Sequence, residues 1–432
     1  MTAEIAVYNK LAVALAADSA VTISGGKMYK INNGAEKLFA LSKHHPVGVM
    51  VYGAGSLCGV PWEIIIKEFR KELGAQVYDT VGEYAEKFWT FLCNCQHIIP
   101  DDIRENYLRD VYLYNVFPEL IKHVQDNRID AIIKDTGIKP STLQTYAIIE
   151  EECLGFLSGF STAKYFENFE DSDIADALDF SLPLAKEACE LLLFREDGID
   201  IPESMINAIA EVFAHITCKQ SPFGTNTGVV IAGYGDEEYF PAILAYDVLG
   251  FFKSKLRFIP NLGKSSSGGD SGVTAYAQED EVNTFMQGMS IELQEFIFPE
   301  FEKTINDIKN EFFLAIEDIY QGSDKKNEVR DKLETIVNNN SSSLSDKIRA
   351  HIIENNISKV VEMIEFLPKK DLGYMAESLV NLTAFKRKVS NDSETVGGPI
   401  DVAIISKGDG FIWVKRKHYF DKELNHNYFN RL

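Results

Sequence analysis

Basic charge is scarce in this 432-residue sequence: 43 lysines and arginines stand against 65 aspartates and glutamates, a formal charge of −22. Such a balance argues against a nucleic-acid partner, because most of the surface would repel a phosphate backbone. The two dense basic runs, Lys386-Arg387-Lys388 and Lys415-Arg416-Lys417-His418, read as solvated ends of elements. Cysteine is sparse too, with six residues scattered through apolar segments. Only Cys93 and Cys95 lie close together, without the paired spacing of a zinc site, so buried reduced thiols in a cytoplasmic protein are expected, with no metal and no cofactor. No apolar run reaches the roughly 18–20 residues of a membrane span. The first residues carry Glu4 ahead of the first lysine, Lys10, which argues against a secretory n-region. No sequence repeat or heptad pattern is present, and the Ser/Gly loop Lys264–Gly272 lacks the Lys-Ser/Thr ending of a phosphate-cradling loop.

What is there is an ordinary globular composition, 45% hydrophobic, in a chain long enough for one elaborated domain or two. The first 55 residues read as strands. Ile5–Val7 and Leu11–Ala17 flank Asn9-Lys10 as a hairpin, a turn follows at Gly25-Gly26, and Lys37–Leu41 and Val47–Tyr52 form two further runs. Tyr52-Gly53-Ala54-Gly55 is a small-residue turn, and Pro61 opens a helix in which Trp62, Ile65, Ile66, Phe69 and Leu73 recur at helical spacing. From 76 to 220 the pattern is helical, beginning with a Thr80–Glu83 capping box. Strands return at Thr227–Ala232, Tyr239–Tyr246 and Phe251–Ile259, then at Val273–Ala277 after the Ser/Gly loop. Residues 281–387 are helical again, interrupted by Asn338–Ser343, which reads as an exposed loop. Ile400–Ile405 and Phe411–Val414 close the chain as a hairpin around Lys407-Gly408-Asp409-Gly410.

The chemistry centres on Thr2. Removal of Met1, which a small second residue permits, would leave a hydroxyl nucleophile beside its own α-amine, a base with an ordinary pKa of about 7.7–8.0. Asp18 closes the second strand, where a carboxylate returns beside the start of the first. Lys37 opens the third strand, and an ammonium near Thr2 would lower the hydroxyl and amine pKa values. Gly53 ends the fourth, where a backbone N–H suits an oxyanion. Taken singly, each has a plainer reading: Asp18 as a turn former, Lys37 as a surface lysine, Gly53 as a tight turn.

Taken together, Thr2, Leu11-Ala12-Val13-Ala14-Leu15-Ala16-Ala17-Asp18-Ser19, Glu36-Lys37-Leu38-Phe39 and Val49-Met50-Val51-Tyr52-Gly53-Ala54-Gly55 resemble the start of a proteasome β-subunit or its HslV-type relatives. The Thr2 to Asp18 spacing matches without a gap. Gly397–Ile405 with its Gly-Asp-Gly hairpin resembles the closing strands of that fold, and Gly228–Tyr246 its central hairpin. The resemblance covers about half of the chain, over 2–75, 225–290 and 368–416.

It implies an N-terminal-nucleophile (Ntn) hydrolase: an α+β protein folded as a four-layer αββα sandwich, here with long helical insertions. Segments 1–75, 223–290 and 368–432 would form the core, and 76–222 and 291–367 the insertions. Thr2 takes the nucleophile's role, Lys37 the activating charge, Asp18 the carboxylate that orients the lysine and Gly53 N–H the oxyanion donor. Asp392 and Thr395, in Asp392-Ser393-Glu394-Thr395, are the nearest match to the family's Asp-x-x-Ser, and Ser271 to a further serine at the threonine amine. The loop between Asp18 and Lys37 is a few residues longer than usual, which leaves Lys27 and Lys30 as alternatives to Lys37. The implied activity is a threonine-type peptidase or amidohydrolase acting through an acyl-enzyme on a peptide or related amide. A homo-oligomer is expected, with room for an unfoldase or another partner protein and none for nucleic acid or membrane. The alternative is a non-catalytic ring or scaffold subunit, or a binding module, on the same fold.

Overall fold

The computed structural model describes residues 2–25, 28–193, 198–224, 226–319, 325–390, 396–421 and 423–429. The chain opens with β1 (Glu4–Asn9), β2 (Ala12–Ala17), β3 (Val21–Gly25), β4 (Met28–Asn32), β5 (Leu38–Ala40) and β6 (Val47–Gly53). The short pair β7 (Ser56–Leu57) and β8 (Val60–Pro61) leads into α1 (Trp62–Leu73). Next come α2 (Val81–Asn94), α3 (Asp101–Val111), α4 (Phe117–Val124), α5 (Asp130–Thr136), α6 (Thr142–Phe160), α7 (Asp171–Leu192) and α8 (Glu203–Cys218). Strands β9 (Thr227–Gly233), β10 (Ala242–Phe252), β11 (Lys255–Pro260) and β12 (Gly272–Ala277) follow. The last part holds α9 (Asp280–Gln287), α10 (Ile291–Ile319), α11 (Lys325–Ile352), α12 (Ser358–Glu365) and α13 (Lys369–Val389), then β13 (Asp401–Ser406), β14 (Gly410–Lys415) and α14 (His426–Phe429). These elements fall into two compact units, one of Met1–Gly34, Gly268–Ser406 and Ile412–Leu432, the other of Ala35–Ser267 and Lys407–Phe411.

The first unit is built on a five-stranded sheet in the order β12-β1-β2-β13-β14, with β1 antiparallel to both neighbours. The two-residue turn Lys10-Leu11 sets the β1–β2 register, Asn9 opposite Ala12 and Glu4 opposite Ala17. Alanines 12, 14 and 16 on β2 leave room for α13 to lie close, and Leu372, Ala376, Leu379 and Val380 of that helix join Ile5, Val7, Val402 and Ile404 in one core. Contact is tight enough that a Cβ on Gly373 would stand 3.0 Å from Ile404 Cδ1. Asn9 Nδ2 donates to the carbonyls of Ile364 and Leu367, both at 2.9 Å, satisfying acceptors that the end of α12 leaves open.

In the second unit the sheet order is β11-β10-β9-β6-β5, again antiparallel. Helix α1 buries the predicted stripe Trp62, Ile65, Ile66, Phe69 and Leu73, with Pro61 just outside the helix. With Tyr84, Phe88 and Phe91 of α2 the stripe covers Val47, Val49, Val229 and Ile231 of the sheet. Thr80 caps α2 as expected, its side chain accepting from Glu83 N at 3.2 Å. Helices α3 to α8 make a separate core around α8, whose Met205, Ile209, Val212 and Phe213 are fully buried. Arg257 of β11 joins helices to sheet by donating to the carbonyls of Ile216 and Thr217 at the end of α8, both at 2.9 Å.

The fold is α+β, as expected, and each unit sets helices against an antiparallel sheet. Three local expectations change. Strand β10 runs on to Phe252, so the hairpin turn falls at Lys253-Ser254. Residues 21–32 form an antiparallel pair, β3 and β4, around Gly26 and Lys27, which lie outside the described residues. Asn338–Ser343 is no loop: α11 passes straight through it. Asparagine and serine are indifferent helix formers, yet extending an existing helix adds a hydrogen bond for each residue ordered. The helix is also pinned on both sides of the run, by Arg330 over the Phe313 ring at 4.6 Å and Arg349 over the Phe298 ring at 5.8 Å. Among the described residues no helix is long and apolar enough to cross a membrane.

Candidate functional site

The start of β1 carries a polar network in the first unit's sheet. With Glu4 opposite Ala17, the hairpin brings Ala3 and Asp18 together. Asp18 N donates to Ala3 O at 3.1 Å, and Ala3 N donates back to Asp18 Oδ1 at 3.1 Å. The other carboxylate oxygen accepts from Ala20 N at 3.3 Å and from Gly397 N at 2.9 Å. Ser19 ties the same segment down, its N–H to Gly397 O at 3.2 Å and its hydroxyl to Pro399 O. Asp18, 1% exposed, therefore joins three pieces of chain: the entry to β1, the exit from β2 and the approach to β13.

Thr2 precedes β1 and is 3% exposed. Two positions apart on an extended chain, Thr2 and Glu4 point to the same side, and the Thr2 hydroxyl donates to Glu4 Oε2 at 2.9 Å. Glu4 is wholly buried, and the sequence reading passed over it. A glutamate inside an otherwise apolar strand, two residues from a candidate nucleophile, was the signal available. Such a contact keeps the hydroxyl oriented and polarised toward a carboxylate.

Lys37 and Gly53 belong to the second unit. Lys37, 6% exposed rather than a surface lysine, sits just ahead of β5, and its carbonyl accepts from Val51 N of β6 at 2.8 Å. Gly53 ends β6 opposite Thr227, at φ 82°, where a Cβ would also press on Asn226 O at 3.2 Å. Both backbone handedness and close approach call for glycine there. The structure thus brings Thr2 and Asp18 together in one unit, and ties Lys37 to the strand that ends in Gly53 in the other.

Ser271 needs correction. The β1–β12 register sets Gly272 opposite Tyr8, so Ser271 lies level with Asn9 at the far end of β1, about 20 Å of strand from Thr2. At the near end, Ala277 pairs with Glu4, and Gln278 follows it at φ 50°. Asp392 and Thr395 lie outside the described residues, as do Met1, Lys27 and the side chain of Lys30.

No family model and no curated protein sequence matches the chain. Among solved structures, an Anbu (Gly-1) mutant from Hyphomicrobium sp. strain MC1 aligns at TM-score 0.27 and 10% identity, over 100% of this chain and 94% of that one. The helical assembly of the Anbu complex from Pseudomonas aeruginosa aligns at TM-score 0.27 and 8% identity, over 100% and 96%. At that level the functional argument rests on this chain's own residues.

Cysteine chemistry finds no support in those residues. Burial pushes the thiols of Cys58, Cys153 and Cys218 from the ordinary 9.0 to about 12, and raises Cys95 as well. None of the six cysteines forms a disulfide among the described residues. Thiols held protonated this firmly are not nucleophiles near neutral pH. An open cavity of about 430 Å³, lined by Arg104, Phe180, Phe251 and Phe252 among others, includes none of the candidate site residues.

Proposed function

We propose that this chain is a threonine-type Ntn hydrolase that cleaves a peptide or related amide bond through an acyl-enzyme on Thr2. The observation that carries the reading is the Thr2 hydroxyl, buried at the entry to β1 and hydrogen-bonded to Glu4, on a backbone that Asp18 secures. With Met1 removed, the hydroxyl attacks the substrate carbonyl and its proton passes to the Thr2 α-amine. Collapse of the tetrahedral adduct breaks the C–N bond, the leaving amine takes that proton, and an ester to Thr2 remains. Water then attacks the ester with the freed amine as base, releasing the acid and restoring the hydroxyl. In this reading Glu4 aims the hydroxyl, and the sequence resemblance alone gives Lys37 the activating charge and Gly53 N–H the oxyanion. The enzyme acts as a cytoplasmic homo-oligomer, and a partner such as an unfoldase would deliver protein substrates.

The test joins N-terminal sequencing and intact mass of the natively produced protein to turnover of peptide and acyl-amide libraries. The expected results are a chain beginning at Thr2, and turnover that falls at least about 10³-fold in Thr2→Ala and Lys37→Ala with an unchanged far-UV spectrum. Glu4→Gln, which keeps a hydrogen-bonding side chain, loses less. Full activity in Thr2→Ala overturns the mechanism. A retained or acylated Met1 blocks the amine and returns the chain to the non-catalytic scaffold reading.

A further inference from the structure

Helices α10 and α11 form an antiparallel hairpin about 44 Å long, with Phe313 near one end facing Arg330 and Phe298 near the other facing Arg349. Among their described side chains none is fully buried. Beside the α10–α11 seam, α10 carries a second apolar stripe at spacings of three and four: Leu293, Ile297, Phe301, Thr304, Ile308 and Phe312. Four of its apolar members are open to solvent, Leu293 at 45%, Ile297 at 37%, Ile308 at 48% and Phe312 at 55%. A two-helix hairpin with one half-buried seam and a bare second stripe lacks the tertiary burial that normally holds long helices in place.

Charge says what covers it. Helix α10 holds eight acidic and two basic residues, whereas α11 holds six basic and four acidic. In a chain of net charge −22, a basic helix matched in length to α10 is an uncommon surface, and the chain supplies it as α11. Two α10 helices side by side would repel, while α10 against another copy's α11 is attractive. We infer that this hairpin is an interface between two copies of the chain, closing a four-helix bundle in which α10 of each copy packs its second stripe against α11 of the other. Such an arrangement is self-complementary about a two-fold axis, with the same patch used on both sides. It stands independently of the chemistry at Thr2.

The test is the mass of the full-length protein by sedimentation equilibrium, for wild type and for Ile297→Glu/Ile308→Glu. The expected result is a wild-type assembly whose mass the substitution halves, with the far-UV spectrum unchanged. A milder pair, Ile308→Ala/Phe312→Ala, guards against misfolding and should weaken the association constant at least tenfold. Reversal of charge on α11 (Lys332→Glu, Lys347→Glu) should weaken it too, and a partner variant with Glu300→Lys and Glu311→Lys on α10 should restore mixed assemblies. A monomeric wild type, an assembly indifferent to all of these changes, or a monomer that instead co-sediments with phosphatidylglycerol vesicles through the stripe overturns the proposal.

Discussion

Asp18 holds three backbone N–H groups, of Ala3, Ala20 and Gly397, on one buried carboxylate. A buried donor left without an acceptor costs roughly 1–3 kcal/mol, so Asp18→Ala should destabilise the protein by about 3 kcal/mol or more. Asp18→Asn keeps one acceptor oxygen and should fall between the two. Urea midpoints measured at one pH check both, and equal midpoints for Asp18→Ala and wild type would show that these bonds carry no net stability. The local half of this arrangement was legible in the sequence, because a tight hairpin fixes which residue lies opposite Ala3. The Gly397 half was not, since it depends on β13 pairing with β2 across almost the whole chain. Glu4 escaped notice for a similar reason: an isolated acidic residue in a strand means little until its partner is seen.

Individual elements were read best where an apolar pattern was strong and poorest where propensity was the only guide. The α1 stripe and the closing hairpin β13–β14 came directly from spacing and turn chemistry. The Asn338–Ser343 run did not, because a weak local preference for a loop lost to a helix already nucleated on both sides. If that stretch of α11 is held against its own inclination, better helix formers should stabilise it. Ser341→Ala/Ser342→Ala/Ser343→Ala should raise stability by about 1 kcal/mol in total, at roughly 0.5 kcal/mol or less per residue. Thermal unfolding followed at 222 nm checks this, and a lowered midpoint would show that the serines make contacts alanine cannot replace.

The buried thiols and phenols are a property of the whole molecule. Cys58, Cys153 and Cys218 hold their protons to about pH 12 when folded, against an ordinary 9.0, and Tyr234 to about 12 against 10.0, in each case chiefly through burial. Above pH 9 the unfolded chain sheds these protons while the folded chain keeps them, so the unfolded state binds fewer protons and stability falls as pH rises. Below about pH 8 these groups contribute almost no slope. The urea midpoint should therefore drop between pH 8 and pH 10.5, and an unchanged midpoint would show that the thiols reach solvent.

By itself the sequence determined the α+β class, the order of strands and helices, the β1–β2 hairpin and the identity of Thr2, Asp18, Lys37 and Gly53 as residues worth testing. The class and the elements follow from local rules of periodicity and turn chemistry, whereas the four residues stand out together through their resemblance to the start of a proteasome β-subunit. Only the tertiary structure decided that Glu4 receives the Thr2 hydroxyl, that Asp18 reaches Gly397, that Ser271 lies at the wrong end of β1, and that α10 keeps a bare apolar stripe. Each of these depends on register between strands distant in sequence, or on which surfaces find a neighbour, and both are settled by long-range burial that no local pattern encodes.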